Sequence, residues 1–242
     1  MIRWLALLFL LAAGPASSVT CEDVTYQDVG YTVCKVNAET ENLRLFHSDD
    51  DGNVLGGFRA VEAALAGDKL AFAMNAGMYH DDRAPVGHYV EDGVEQMRVI
   101  SSAGPGNFGL LPNGVFCIGV DAAQVYETMD YVARSPDCAF ASQSGPMLVI
   151  GGELHPRFLP HSTSRHIRNG VGTSADGKEV VFGISNERVT FHEFGSFFRD
   201  FLQLPNALFF DGRISRLHAP DIGRSDVGFR LGPIVGVVED QG

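Results

Sequence analysis

A chain of 242 residues, 45% hydrophobic and 20% charged, is long enough to bury a sizeable core. Its formal net charge of −12 argues against nucleic acid or an anionic membrane surface as a general partner. Only three of its 18 basic residues are lysine, and arginine suits two-pronged recognition of carboxylate or phosphate.

Arg3, the apolar run Trp4 to Ala13 and the small residues Ala16-Ser17-Ser18 have the form of a cleavable signal peptide over residues 1–18. Thr20 stands where a lipoprotein box needs a small residue before Cys21, so soluble export to the periplasm or the medium is expected. No later stretch is long and apolar enough for a membrane helix, so no membrane insertion is expected. One domain over residues 19–242 follows, without repeats or an obvious linker. Four cysteines in an exported chain suggest two disulfides, and the pairs Cys21–Cys34 and Cys117–Cys138 each bracket one local segment.

Val24 to Val36 reads as two strands around a turn at Asp28-Val29-Gly30, and Asn42 to His47 alternates like a further strand. Asp49 to Asn53 is a solvated acidic turn that lacks the downstream glutamate of a calcium loop. Phe58 to Leu65 has helical spacing and stops at Gly67. Lys69 to Met74 is a buried strand that ends in the polar cluster Asn75 to His80. His88–Glu91 and Glu95–Ile100 flank a turn at Asp92-Gly93. Phe108–Leu111 and Val115–Val120 flank Pro112-Asn113-Gly114 as a hairpin, and Ala123–Met129 suits a strand or a helix.

Met147 to Ile150 is a strand turned by Gly151-Gly152. Beyond it lies a cationic window with His155, Arg157, His161, Arg165, His166 and Arg168, and no acid occurs between Glu153 and Asp176. In so acidic a chain, the window reads as an anion pocket tuned by histidine near neutral pH. The plainer alternative is that these arginines pair with carboxylates elsewhere, and the histidine spacings are irregular for zinc. Glu179 to Ile184 is a strand. Thr190 to Glu193 has capping-box spacing and opens a helix through Phe194, Phe197, Phe198 and Phe201, so Glu193 has a structural task in hand.

Asn206-Ala-Leu-Phe-Phe-Asp-Gly-Arg-Ile-Ser215 is the most informative stretch. Ala207 to Phe210 is an apolar run of the kind covered on both faces, and it stops at Asp211-Gly212. A carboxylate at the end of a buried strand is costly to desolvate and needs a partner or a task, although Asp-Gly is also a common turn. Leu231 to Val238 forms a last strand.

Asn75-Ala-Gly-Met-Tyr79, Pro85-Val-Gly87, Asn113-Gly114, Gln143-Ser-Gly-Pro-Met147, Arg168-Asn-Gly-Val-Gly172 and Asn206–Ser215 together resemble the phosphodiester glycosidase family, in that family's order and over most of the chain. The family often shows Asp-Gly-Gly where this chain has Asp211-Gly212-Arg213. The resemblance implies an α+β single domain with a mixed, mostly antiparallel β-sheet core and a few helices. It also implies hydrolysis of a sugar-1-phosphodiester, and no cofactor is expected. Asp211, Arg168 and Asn75 match the most recurrent polar positions of the family, with Glu193 at its helix start. The expected catalytic set is Asp211, Arg168 and Glu193. The matched pieces add Asn75, Tyr79, Gly87, Asn113, Ser144, Gly145 and Asn169 as substrate-binding positions, joined by Arg165, His166, Gly212 and Ser215. One carboxylate for the oxocarbenium-like carbon, with Arg and His on a phosphate leaving group, is a sufficient kit for that chemistry. A non-catalytic module binding an anionic glycan is the alternative. A serine hydrolase at Ser144 or Ser215 lacks the Gly-x-Ser-x-Gly elbow.

Overall fold

Among the described residues, strand-forming runs dominate and assemble into three antiparallel sheets, with short helices packed on them. The computed structural model describes residues 19–239, and the expected signal peptide lies outside them. The largest sheet runs, from edge to edge, through Thr20–Tyr26, Val29–Asn37, Glu179–Ser185, Asn169–Thr173, Asn206–Asp211, Met147–Ile150 and Glu153–Leu154. A five-stranded sheet centred on Lys69–Asn75 and Ile234–Glu239 packs against it, as does a second built around Phe140–Ser144 and Gly114–Ile118. The expected α+β single domain is therefore observed.

The strand Asn206–Asp211 lies inside the large sheet, between Asn169–Thr173 and Met147–Ile150. Its alternate residues serve two cores, as the two-residue period of a strand requires. Ala207 and Phe209 pack with Phe194, Phe197 and Phe198 of the helix Phe191–Ser196 and the π-turn that continues it over Phe197–Phe201. Leu208 and Phe210 pack on the other side with Phe72 and Phe116 of the two smaller sheets. All four are fully buried, each large side chain contributing about 1.5–3 kcal/mol. The continuous apolar run is thus the signature of a strand with no solvent face.

Its neighbour Asn169–Thr173 escaped the sequence reading because its glycines mask the strand pattern. A Cβ on Gly170 would stand 2.5 Å from the Leu208 carbonyl oxygen, and one on Gly172 would stand 2.6 Å from Leu204 Cδ1. Close backbone approach, not turn formation, explains these glycines.

Other differences are local. The first hairpin turns at Gln27-Asp28, both at positive φ, because Val29 already pairs with Tyr26. Phe108–Leu111 is a loop: Leu110 N–H donates to the Asn107 carbonyl and Asn113 Nδ2 to the Phe108 carbonyl, so no ladder forms. Ala123–Glu127 is a strand and Thr128–Arg134 a helix, so the ambiguous stretch holds the junction of both. The strand after Asp92-Gly93 spans only Val94–Met97, and the last strand is Ile234–Glu239. Both expected disulfides are present. Cys21–Cys34 bridges directly paired residues of the first hairpin, and Cys117–Cys138 ties Gly114–Ile118 to the segment before Phe140–Ser144.

Candidate functional site

Two strand ends set the position of the site. Asn206–Asp211 and Asn169–Thr173 run antiparallel, and Asn169 pairs with Asp211 across a bulge. Arg168, one residue before its strand, is thereby brought to the same end of the sheet as Asp211. Both line an open cavity of about 760 Å³, together with Gly212, Arg213, His166 and the loop residues Met78 and Tyr79.

The Asp211 carboxylate is held from behind. Its Oδ1 accepts the amides of Gly212 at 2.6 Å and Arg213 at 2.7 Å, a backbone nest formed where the chain turns out of the strand. Burial pushes the carboxyl above the usual carboxylate range, against the downward pull of the Arg213, Gly212 and Ile214 amides. The turn requires a small residue beside the site. A Cβ on Gly212 would meet Phe209 Cζ at 3.1 Å and Arg168 Nη1 at 3.3 Å.

Arg168 is an unusual cation. It is 1% exposed and lies over the Phe191 ring at 3.7 Å, with Phe209 at 5.4 Å. Nε donates to the Val189 carbonyl and Nη2 to the Ser164 carbonyl. Nη1, buried and turned toward Gly212, has no hydrogen-bond partner among the described residues. No carboxylate pairs with the guanidinium there, and burial lowers its pKa to about 10, so it stays charged at neutral pH. Burial and the charges of Arg168, Arg188 and Arg213 hold the pKa of His166 below the usual value.

The remaining expected residues fall into three groups. Asn75 and Asn169 are fully buried and bond reciprocally: Asn75 Nδ2 donates to Asn169 Oδ1 at 3.1 Å, and Asn169 Nδ2 to the Asn75 carbonyl at 2.8 Å. Ser215 joins them, its hydroxyl lying 3.0 Å from the Asp211 carbonyl and 3.3 Å from Asn169 Oδ1. These three lock the strand carrying Asp211 to the strand that leads into the Met78–Tyr79 loop.

Gly87, Asn113 and Gly145 converge instead on Phe108, which forms a wall of the cavity. A Cβ on Gly87 would stand 2.5 Å from Phe108 Cζ, and one on Gly145 would lie 3.0 Å from the Phe108 carbonyl oxygen. Asn113 donates to that same carbonyl. Ser144 is buried, with its hydroxyl donated to the Phe210 carbonyl.

Arg165 and Glu193 lie outside the cavity lining and bond to each other. Glu193 completes a capping box with Thr190. Burial works to raise its pKa, but the Thr190 amide and Arg165 outweigh that and hold it below the usual range. For Arg165, pairing with a carboxylate is what the structure shows.

Several lining residues went unread in the sequence. Asp81 and Arg83 sit on the loop that follows Asn75–His80, with Asn107, Phe108 and Phe229 on other walls. Asp81 and Arg83 follow directly on the polar cluster that had drawn attention, and that adjacency was the available signal. Phe229, 78% exposed in a loop without periodicity, gave none.

The phosphodiester glycosidase profile matches residues 68–217, a span that carries Asn75, Arg168 and Asp211. An uncharacterised protein of Escherichia coli (strain K12), YigE, is 33% identical over 207 residues, 84% of this chain and 81% of its own. The fold is similar to that of the zebrafish N-acetylglucosamine-1-phosphodiester α-N-acetylglucosaminidase catalytic domain, solved in a form auto-inhibited by its pro-peptide. That match has a TM-score of 0.63 and 15% identity, over 95% of this chain and 85% of the other. A hypothetical protein from Synechocystis matches with a TM-score of 0.59 and 12% identity, over 92% of this chain and 62% of the other.

Proposed function

The chain belongs to the phosphodiester glycosidase family, and from that premise we propose that it hydrolyses the glycosidic bond of a sugar-1-phosphodiester at the cavity shared by Asp211 and Arg168. The observation that carries this reading is the unpartnered Nη1 of Arg168 beside the turn that presents Asp211. A buried cation without a counter-ion is costly. An anionic phosphate entering the cavity supplies that counter-ion. A planar guanidinium already fixed by two carbonyls and two rings is oriented for it at little further entropic cost.

The chemistry follows from the two ends of the scissile bond. The bond between the anomeric carbon and the phosphate oxygen breaks, and its electron pair stays on the leaving phosphate monoester beside Arg168. That group is stable as an anion and needs less proton donation than an alkoxide. Positive charge develops at the anomeric carbon, where Asp211 acts as nucleophile or as base for the attacking water. The nest amides hold the carboxylate in place and leave no reorganisation to the moment of reaction.

Two disulfides fit an oxidising, extracellular compartment. We take the chain to reach it by cleavage of residues 1–18. Glu193, engaged in its capping box, serves in this reading to hold the helix behind the site, not to act on substrate.

The test uses purified protein with a sugar-1-phosphodiester, N-acetylglucosamine being the first sugar to try because the zebrafish neighbour's name specifies it. Wild-type protein should release the reducing sugar and a phosphate monoester. Asp211→Asn should lose about 10²-fold or more in kcat while still binding the substrate. Arg168→Lys should lose affinity, because an ammonium cannot bond the Val189 and Ser164 carbonyls and still present a fixed, free N–H as Nη1 does. Binding without turnover by the wild-type protein would favour the glycan-binding module instead.

A further inference from the structure

The cavity holds more positive charge than one phosphodiester requires. Besides Arg168 it is lined by Arg83 and Arg213. Arg83 is already engaged: its Nη1 donates to the Asp81 carbonyl and its guanidinium lies 5.1 Å over the Tyr79 ring. Arg213 is different. Its backbone amide belongs to the Asp211 nest, but among the described residues its exposed side chain has no hydrogen bond, ion pair or ring contact. It lines the cavity together with Asp211 and His166, and its charge acts on both groups.

Resting on the proposed reaction, we propose that Arg213 is a second anion contact that reads a negative charge beyond the scissile phosphodiester. The favoured substrate then carries at least two such charges. A phosphodiester has a single negative charge, and the buried Arg168 is enough to neutralise it. A second, exposed guanidinium lining the cavity adds affinity only where the leaving part of the substrate bears a further anionic group. Two sources share this chemistry: a sugar linked through a pyrophosphate, and a sugar-1-phosphodiester whose aglycone carries a separate phosphate.

The experiment compares wild-type protein with Arg213→Gln, which keeps the nest amide, on three substrates of one sugar. These are a methyl phosphodiester, a nucleoside diphosphate sugar, and a phosphodiester with a remote phosphate on the aglycone. In Arg213→Gln, kcat/KM on at least one doubly charged substrate should fall about tenfold relative to the methyl phosphodiester, the scale of one charge-assisted contact. Which of the two responds identifies the source. An equal loss on all three overturns the inference and leaves the proposed reaction standing. If wild-type protein turns over none of them, titration with inorganic phosphate and inorganic pyrophosphate decides instead. A tenfold selective loss of pyrophosphate affinity supports the contact without the reaction, and equal affinities in the two proteins overturn it.

Discussion

Arg168 and Asp211 line one cavity, yet no hydrogen bond or ion pair joins them among the described residues. Arg168 is fully buried and Asp211 half-buried, and neither neutralises the other. A paired arrangement would make the substrate break an ion pair before binding, and a buried pair is costly to separate. The unpaired arrangement leaves an anion site and a carboxylate ready for opposite ends of one bond.

That readiness carries a stability cost that can be measured. The Asp211 pKa is raised in the folded protein, so the native state binds its proton more tightly than the unfolded chain does. Ionised Asp211 therefore destabilises the fold above its folded pKa. The penalty is relieved as pH falls through that value toward the unfolded pKa of about 3.9. Asp211→Asn should melt at a higher temperature than wild type at pH 7, with the gap closing on acidification. A lower melting temperature at pH 7 would contradict this account.

Gly87→Ala tests the wall formed by Phe108. Gln143 cannot yield, because its Oε1 accepts both the His88 and Ile100 amides, so the added methyl must displace the ring. A stability loss of about 1–3 kcal/mol and a raised KM are expected. Unchanged thermal unfolding together with unchanged KM would show that Phe108 shapes nothing.

Glu193→Ala separates a capping role from a catalytic one. Loss of the capping box should cost on the order of 1 kcal/mol. The exposed pair with Arg165 adds little to that. Turnover should remain within a few fold of wild type. A drop of about 10²-fold in kcat at full folding would return Glu193 to the reacting groups.

The covalent frame gives a fourth prediction. Non-reducing peptide mapping of protein from its host should recover Cys21–Cys34 and Cys117–Cys138, with the chain beginning near residue 19 and free of tryptophan, since Trp4 is the only one. Replacing Cys117 and Cys138 by serine should cost about 2–5 kcal/mol. Free thiols or an intact N-terminus would contradict the expected export.

Much of this architecture is written in local pattern. The apolar run before Asp211, the Thr190–Glu193 capping box and the tight turns at Asp92-Gly93 and Gly151-Gly152 each follow from short-range chemistry, and each is found in place. What escaped was set by contacts distant in sequence. Asn169–Thr173 is a strand because its glycines let Leu208 and Leu204 approach, a fact invisible without those partners. The same limit applies within the site. Asn75 is 94 residues from Asn169, and nothing in either segment announces their mutual hydrogen bonds. The cationic window was legible as composition, but only the fold divides it into Arg168, which stays unpaired, and Arg165, which finds Glu193.

The position of Asn206–Asp211 inside the seven-stranded sheet bears on how the protein can fail. Amides of a strand flanked on both sides and covered on both faces exchange with solvent only when the whole domain opens, whereas a site carried on a loop can open while the rest of the fold stays intact. Asp211 thus stands at the end of a segment expected to open only with the whole domain. Thermal inactivation and global unfolding should therefore be one event, with no folded but inactive intermediate between them.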